Sequence, residues 1–368
     1  MKEVVIDLMS SNGAQGEVAN KLYTQQNLQL GAMKPFMHTN GKSYVSIFNG
    51  GDPKKKESYS IQQVQTNATL RRDEWKQLDE AIMEISRQRL GGIEDLIEKG
   101  LTYNLGNAMG TTMLEWHDIS DFGEADMSMD GISRGRNDRP EFQHNYLPIP
   151  IIHMDYEINA RALSTSRNMG NPLDTLGAER AARRVKEKVE SLLFSNVTYS
   201  FGAKDERNRN TIYSYLNHPD RNLLALGTAW PVIALADRGA TIVAKVSAAK
   251  AASIAALHYG PWMLYIPSSY ETVMDEDYST AKGSNTIRER IMQIGGIQGI
   301  KVIDTLPANN VVLVQMTSDV VRLVRGFPLQ TVQWGSEGNL VTNYKVMTIQ
   351  VPQIRSDQNG KSGIVHIA

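Results

Sequence analysis

Residues 131–135 read GISRG, the letters of a nucleophile elbow, with Ser133 in the nucleophile's place. An elbow holds its serine on a tight turn between a buried strand and a helix. Here the flanking letters are MSMD and RNDRP, polar and turn-forming, so Ser133 reads as a loop serine. The seven histidines (His38, His117, His144, His153, His218, His258 and His366) show no HExxH or paired metal spacing. His153 follows an apolar run and is expected to be packed or hydrogen-bonded, and His218 sits in an NHP turn. Asp275, Glu276 and Asp277 lack the longer alternating pattern and glycine of a calcium loop, and read as a solvated helix face. Gly295, Gly296 and Gly299 have the wrong spacing for a phosphate-cradling turn. Without cysteine, disulfide and thiolate chemistry are excluded. The chain therefore reads as no enzyme, with no catalytic residue, no cofactor site and no metal site. A soluble serine hydrolase using Ser133 is kept only as a third reading.

What remains is charge. Asp118, Asp121, Glu124, Asp126 and Asp130 come first, and Arg134, Arg136 and Arg139 follow. One account is a solvated loop whose opposite charges balance. The other is electrostatic register between copies of the chain, which makes these eight residues candidates for contact between subunits. Exposed ion pairs contribute only about 0–1 kcal/mol each, so they choose an alignment more than they supply stability.

Such a charged tip needs a support, and residues 111–150 read as a long two-strand excursion. Pro148 and Pro150 stand two apart in an extended apolar run. Alternate residues of a strand point their N–H groups to the same edge, so these prolines blank one edge and leave the other able to pair. That suits an arm of a hairpin or a sheet margin. Asp174 or Thr175 then starts a helix to about residue 195. Ala178, Ala182, Val185, Val189, Leu192 and Leu193 make its apolar stripe; Arg180, Arg183, Arg184, Lys186, Glu187, Lys188 and Glu190 occupy the remainder. Upstream, Thr69 can cap a helix carrying Trp75, Leu78, Ile82 and Ile85 on one face, and Gly91-Gly92 interrupts it before a short continuation to Lys99. Residues 1–68 are polar and read as an extended arm with one short strand around Val45 and Ile47. Downstream, Ser247 is expected to cap an alanine-rich helix ending at Tyr259. A buried strand at 262–266, short helices at 270–278 and 287–294, and β runs at 300–304, 311–316, 340–349 and 364–367 follow. Helices interleaved with short strands indicate an α+β fold.

The run 147–156, with Arg167, Gly170, Pro172, Asp174, Ala181, Arg183 and Phe194, resembles the arm-to-spine region of tailed-bacteriophage major capsid proteins. These have the Hong Kong 97-type fold, which encapsulin shells share. Residues 216–219 (LNHP), 287–300 and 302–307 fit the same pattern, so the resemblance spans residues 100–368. It implies an N-terminal arm (1–68), an N-terminal helical segment (69–110), an extended β-hairpin loop (111–150), a peripheral domain (151–230) with a spine helix (174–195), an axial domain (231–345), and a C-terminal β segment (346–368) returning to the peripheral domain. It also implies self-assembly into the pentamers and hexamers of an icosahedral shell around double-stranded phage DNA. Scaffolding, portal and decoration proteins are the implied partners, with assembly in the host cytoplasm and residence in the virion. An encapsulin-type compartment around protein cargo is the alternative. On this reading, removing residues 1–60 leaves a folded subunit that assembles poorly. Some members of the family lock their shells by a lysine–asparagine bond from the extended loop. No lysine lies between Lys99 and Lys186, so that route is closed to this loop.

Composition agrees with a folded structural protein. The 368 residues are 41% hydrophobic and 21% charged, ordinary values for globular chains. A formal net charge of −1 provides no general grip on phosphates, so packaged DNA is expected to be only weakly contacted. No charge-free apolar run long enough for a bilayer occurs, so no membrane partner is expected. The opening MKEVVIDLMSS lacks a signal-peptide core. No removed propeptide is expected, and both ends are expected to be tied down by neighbouring subunits.

Overall fold

The computed structural model describes residues 5–6, 34–49, 52, 55–64, 70, 73–76, 78, 91–119, 127, 129, 142–159, 161, 164–165, 176–202, 210–279, 285–334, 341–357 and 359–368. Strands β1 (Val5–Ile6), β2 (Phe36–Met37), β3 (Ser43–Phe48) and β4 (Tyr59–Val64) form a four-stranded sheet in the order β1-β4-β3-β2. The strand expected around Val45 and Ile47 is β3, and two neighbours the polar sequence had concealed flank it. This small sheet is not self-sufficient. Phe36 packs with Leu70, Trp75, Leu78, Ala178 and Tyr344, and the Trp75 indole donates to the Pro35 carbonyl at 3.0 Å. Phe36→Ala should therefore cost the subunit about 3 kcal/mol, read as a lower urea midpoint. A truncation at residue 60 removes this anchor as well as an arm.

Residues 73–76 and 78 are helical, while Ile82 and Ile85 fall outside the described residues. Helix α1 (Gly91–Glu98) includes the glycine pair that was expected to interrupt the helical segment. A short strand β5 (Thr102–Asn104) leads to β6 (Met113–Ile119) and β7 (Phe142–Pro148), which pair antiparallel as the expected hairpin. The Ile149 N–H donates to Thr112 O at 2.9 Å, which makes 112/149 a hydrogen-bonded pair and the next pair, Met113/Pro148, a non-hydrogen-bonded one. Pro148 and Pro150 thus both lack an N–H on the edge of β7 that faces away from β6.

Strand β8 (Ile152–Asn159) and the 19-residue helix α2 (Leu176–Phe194) come next. After a small hairpin, β9 (Tyr199–Ser200) with β10 (Thr211–Ile212), the chain runs through β11 (Asn222–Leu224), helix α3 (Leu235–Ala255), β12 (Trp262–Pro267) and helices α4 (Glu271–Met274) and α5 (Ile287–Met292). It ends with β13 (Ile297–Ile303), β14 (Val311–Gln315), β15 (Val321–Trp334), β16 (Val341–Ile354) and β17 (Ile364–Ile367). Two sheets carry the body. One runs β5-β15-β16-β8, with α2 laid across β8 and β16. The other runs β11-β17-β14-β12-β13.

The apolar strand β12 and the apolar run 311–314 of β14 are explained by burial on both faces. Met263, Tyr265, Val312 and Val314 point to a core shared with Phe194 and Tyr215. Trp262, Leu264, Val311 and Leu313 point to a second core with Trp230, Ile242 and Ile291 under α3 and α5. Period-two alternation thus divides one sheet between two cores.

Three elements differ from expectation. Strand β15 was not foreseen, because Arg322, Arg325 and the Gly326-Phe327-Pro328 break disguise it. The register with β16 shifts on both sides of Phe327. Helix α3 starts at Leu235, twelve residues before the proposed cap, because alanine-rich sequence propagates helix without help and Ser247 is carried inside. The C-terminal segment divides: residues 346–354 stay in β16 beside β8, and β17 joins the five-stranded sheet between β11 and β14. Among the described residues no helix is long and apolar enough to cross a membrane.

Candidate functional site

The long hairpin has two unlike faces. Leu114, Trp116 and Leu147 pack inward against Phe327, Met347 and Ile349. Glu115, His117, Phe142 and His144, on the alternate positions, are exposed. Of the candidate contact residues, Asp118 lies at the hairpin's footing. Its carboxylate accepts from Asn145 Nδ2 and faces the Arg355 guanidinium at 3.6 Å. Burial pushes its pKa up, while Arg355 and Asn145 pull it down. Asp118 thus ties the hairpin base to its own subunit. Asp121, Glu124, Asp126, Asp130, Arg134, Arg136 and Arg139 lie outside the described residues, as does Ser133. Between them, Met127 and Met129 are fully exposed.

A cleft of about 490 Å3 opens between the hairpin footing (Trp116, Asp118, Asn145) and the body (Tyr213, His218, Arg355). Its polar groups do not make a hydrolytic set. The His218 Nδ1 atom accepts from the Asp220 N–H at 3.2 Å, and burial holds its pKa down to about 4, so the ring is neutral. The Ser356 hydroxyl donates to the Asp220 carboxylate at 2.7 Å, so no serine–histidine pair forms there. Among the described residues, no group of three or more His, Cys, Asp or Glu is placed to hold a metal.

Other polar residues are placed as follows. His153, expected to be packed or hydrogen-bonded, is half exposed and stands 3.5 Å from Asp155. Asp275 and Asp277 are exposed, as a solvated face requires, while Glu276 is half-buried in a clasp. Arg238 donates to both oxygens of Glu276 at 2.6 Å, and Arg288 reaches Asp275 at 3.1 Å.

A buried ionisable cluster at the joint of α1, α2 and β13 was missed by the sequence reading. Lys186 is only 3% exposed and Glu190 is buried beside it. The Glu190 carboxylate accepts from the Gly92 N–H at 3.5 Å. Asp95 accepts from the Tyr265 hydroxyl at 3.0 Å and pairs with Lys301. Burial raises Glu190 to about 7, with Asp304 and Glu94 adding to the rise and Lys186 opposing it. Burial lowers Lys186 to about 8, against the attraction of Glu94 and Glu190. The available signal was position: 186 and 190 adjoin stripe residues 185 and 189, so a helix covered on two sides buries them too.

This chain belongs to DUF6260, a family of unknown function whose model matches residues 65–367. No curated protein matches it. Its fold is similar to the virus-like particle from Pyrococcus furiosus, at 17% identity and a TM-score of 0.56 over 80% of this chain and 99% of that one. It is equally similar to the capsid of Myoviridae phage XM1, at 10% identity and a TM-score of 0.56 over 76% and 92%. The capsid of an empty GTA particle aligns at 11% identity and a TM-score of 0.50 over 76% and 90%. The α+β architecture is that of the Hong Kong 97-type capsid fold.

Proposed function

We propose that this chain is the major capsid protein of a tailed bacteriophage, a shell-forming subunit that closes into an icosahedral container for double-stranded DNA. The observation that carries this reading is the pairing of a capsid fold over most of the chain with a hairpin whose paired strands leave one face, Glu115, His117, Phe142 and His144, exposed to solvent. Closure requires heterologous contacts whose rotations return on themselves. A hairpin whose paired strands are tied through Asp118 to Arg355 of the same subunit can present its exposed face to a neighbouring copy. The partners of this reading are further copies of the chain in pentamers and hexamers, a scaffolding protein, a portal and a decoration protein. Assembly belongs in the host cytoplasm and the finished protein in the virion. A net charge of −1 suits an inner wall that releases DNA readily.

Sedimentation of the full chain, co-expressed with its genomic neighbours, tests this. Fast-sedimenting closed particles are expected, and a stable monomer with esterase activity lost in Ser133→Ala would replace the proposal with a hydrolase. Within the shell reading, Arg134→Glu, Arg136→Glu and Arg139→Glu together should raise the concentration needed for assembly by about tenfold or more, taking each exposed pair at under about 1 kcal/mol. Reversing Asp121, Glu124 and Asp126 to lysine in the same chain should recover it. The second reading, a compartment around protein cargo, is favoured by the alignment over 99% of the Pyrococcus furiosus particle's chain. Particles filled with an enzyme instead of nucleic acid would select it.

A further inference from the structure

The exposed face of the hairpin places His117 directly across from His144. Counting from the hydrogen-bonded pair 112/149, the pairs 113/148, 115/146 and 117/144 are all non-hydrogen-bonded, the positions at which facing side chains stand closest. The two imidazole centres are 4.3 Å apart with their planes at 90°. Both rings lie on the solvent side, opposite the face that packs on the body. Twenty-six residues separate them in the sequence, which is why neither spacing nor motif marked them as a pair.

We propose that His117 and His144 chelate a borderline divalent transition-metal cation, Cu2+ or Ni2+ in preference to Zn2+. A metal about 2.0–2.1 Å from an imidazole nitrogen sits about 3.2 Å from the ring centre, so two rings bound at 90° have centres about 4.5 Å apart, and at a tetrahedral angle about 5.2 Å. The observed 4.3 Å is close to the first arrangement, which small side-chain rotations complete. The 90° between the ring planes does not fix the angle at the metal; the preference follows from the general affinity order of these cations, which peaks at Cu2+. Among the described residues no third protein ligand completes a set with them. Each bound imidazole gives its lone pair to the cation and must be unprotonated to do so. The metal then cross-links the two strands at the exposed part of the hairpin. This inference concerns the isolated chain and stands whether or not the chain forms shells.

The test uses the purified full-length chain, titrated with copper(II) sulfate and separately with nickel(II) chloride in a non-chelating buffer at neutral pH. Calorimetry gives the stoichiometry and the copper visible absorption band reports nitrogen ligation. One tight equivalent is expected. His117→Asn and His144→Asn should each weaken it at least tenfold, and the double variant should be no weaker than either single one, because a chelate is lost with its first arm. His258→Asn should leave it unchanged. As a second readout, nickel should slow amide exchange in residues 113–119 and 142–148 of the wild type and not of His117→Asn. Wild-type affinity retained in either hairpin variant, or equal weakening by His258→Asn, would overturn the assignment.

Discussion

Glu190→Gln is expected to make the unassembled subunit more stable at pH 8 and to flatten its stability between pH 4.5 and 7. The carboxyl of Glu190 titrates at about 7 in the fold against an ordinary 4.5, chiefly because burial penalises the anion. The folded state therefore holds this proton more tightly than the unfolded chain does. Its contribution to stability is fully present below pH 4.5, fades as pH rises toward 7, and is gone above that. The difference corresponds to about 3 kcal/mol, a net figure that already includes the attraction of Lys186. Lys186 has the opposite sign. Its ammonium titrates at about 8 against 10.5, so stability falls as pH drops from 10.5 to 8 and is level below. Between pH 7 and 8 both buried charges are carried at a cost. Lys186→Met with Glu190→Gln should accordingly be at least as stable as wild type, as buried ion pairs replaced by fitting neutral groups often are. Urea midpoints at pH 5, 7 and 8 measure this. A loss of stability at pH 8 in Glu190→Gln would show that the anion is held by more than Lys186 and one N–H.

Gly92→Ala should destabilise the subunit by about 3 kcal/mol or more, although helix propensity alone favours alanine by about 1 kcal/mol. A methyl at this position would stand 2.2 Å from Phe194 Cε2. Phe194 cannot yield easily: its ring meets Tyr215 at 5.4 Å and Tyr265 at 4.9 Å, and all three are buried. Relief requires α1 to move off α2, which also withdraws the Gly92 N–H from Glu190. The sign is the discriminating feature. A thermal midpoint lowered by several degrees, partly restored by Phe194→Leu in the same chain, supports the contact; a raised midpoint leaves propensity in command.

The hairpin, the long helix and the buried strand β12 were legible in the sequence because each has a strong local cause. Alternate prolines blank one strand edge, a stripe repeats every three to four residues, and an unbroken apolar run needs two covered faces. Strand β15 was not legible because Gly326 and Pro328 signal a break locally, while pairing with β16 and β5 sustains the strand through a bulge. Gly91 and Gly92 read as an interruption for the same reason, and both lie within α1. Propensity says interruption, and only the distance to Phe194 shows that a small residue is needed for close helix packing. The buried Lys186 and Glu190 escaped because charge on a helix is normally a solvated face, and nothing within α2 states that α1 covers it. The facing of His117 and His144 depends on strand register, which exists only once the hairpin is closed. Of the charged tip, the sequence provides the order of signs, and the structure adds the Asp118–Arg355 footing from which that tip departs.

Cryo-electron microscopy of the full chain co-expressed with its genomic neighbours tests the central claim most directly. The account predicts closed icosahedral shells in which residues 120–141 lie against an adjacent copy while Asp118 remains on its own Arg355. A population of separate subunits, each with residues 120–141 folded onto its own body, would contradict it.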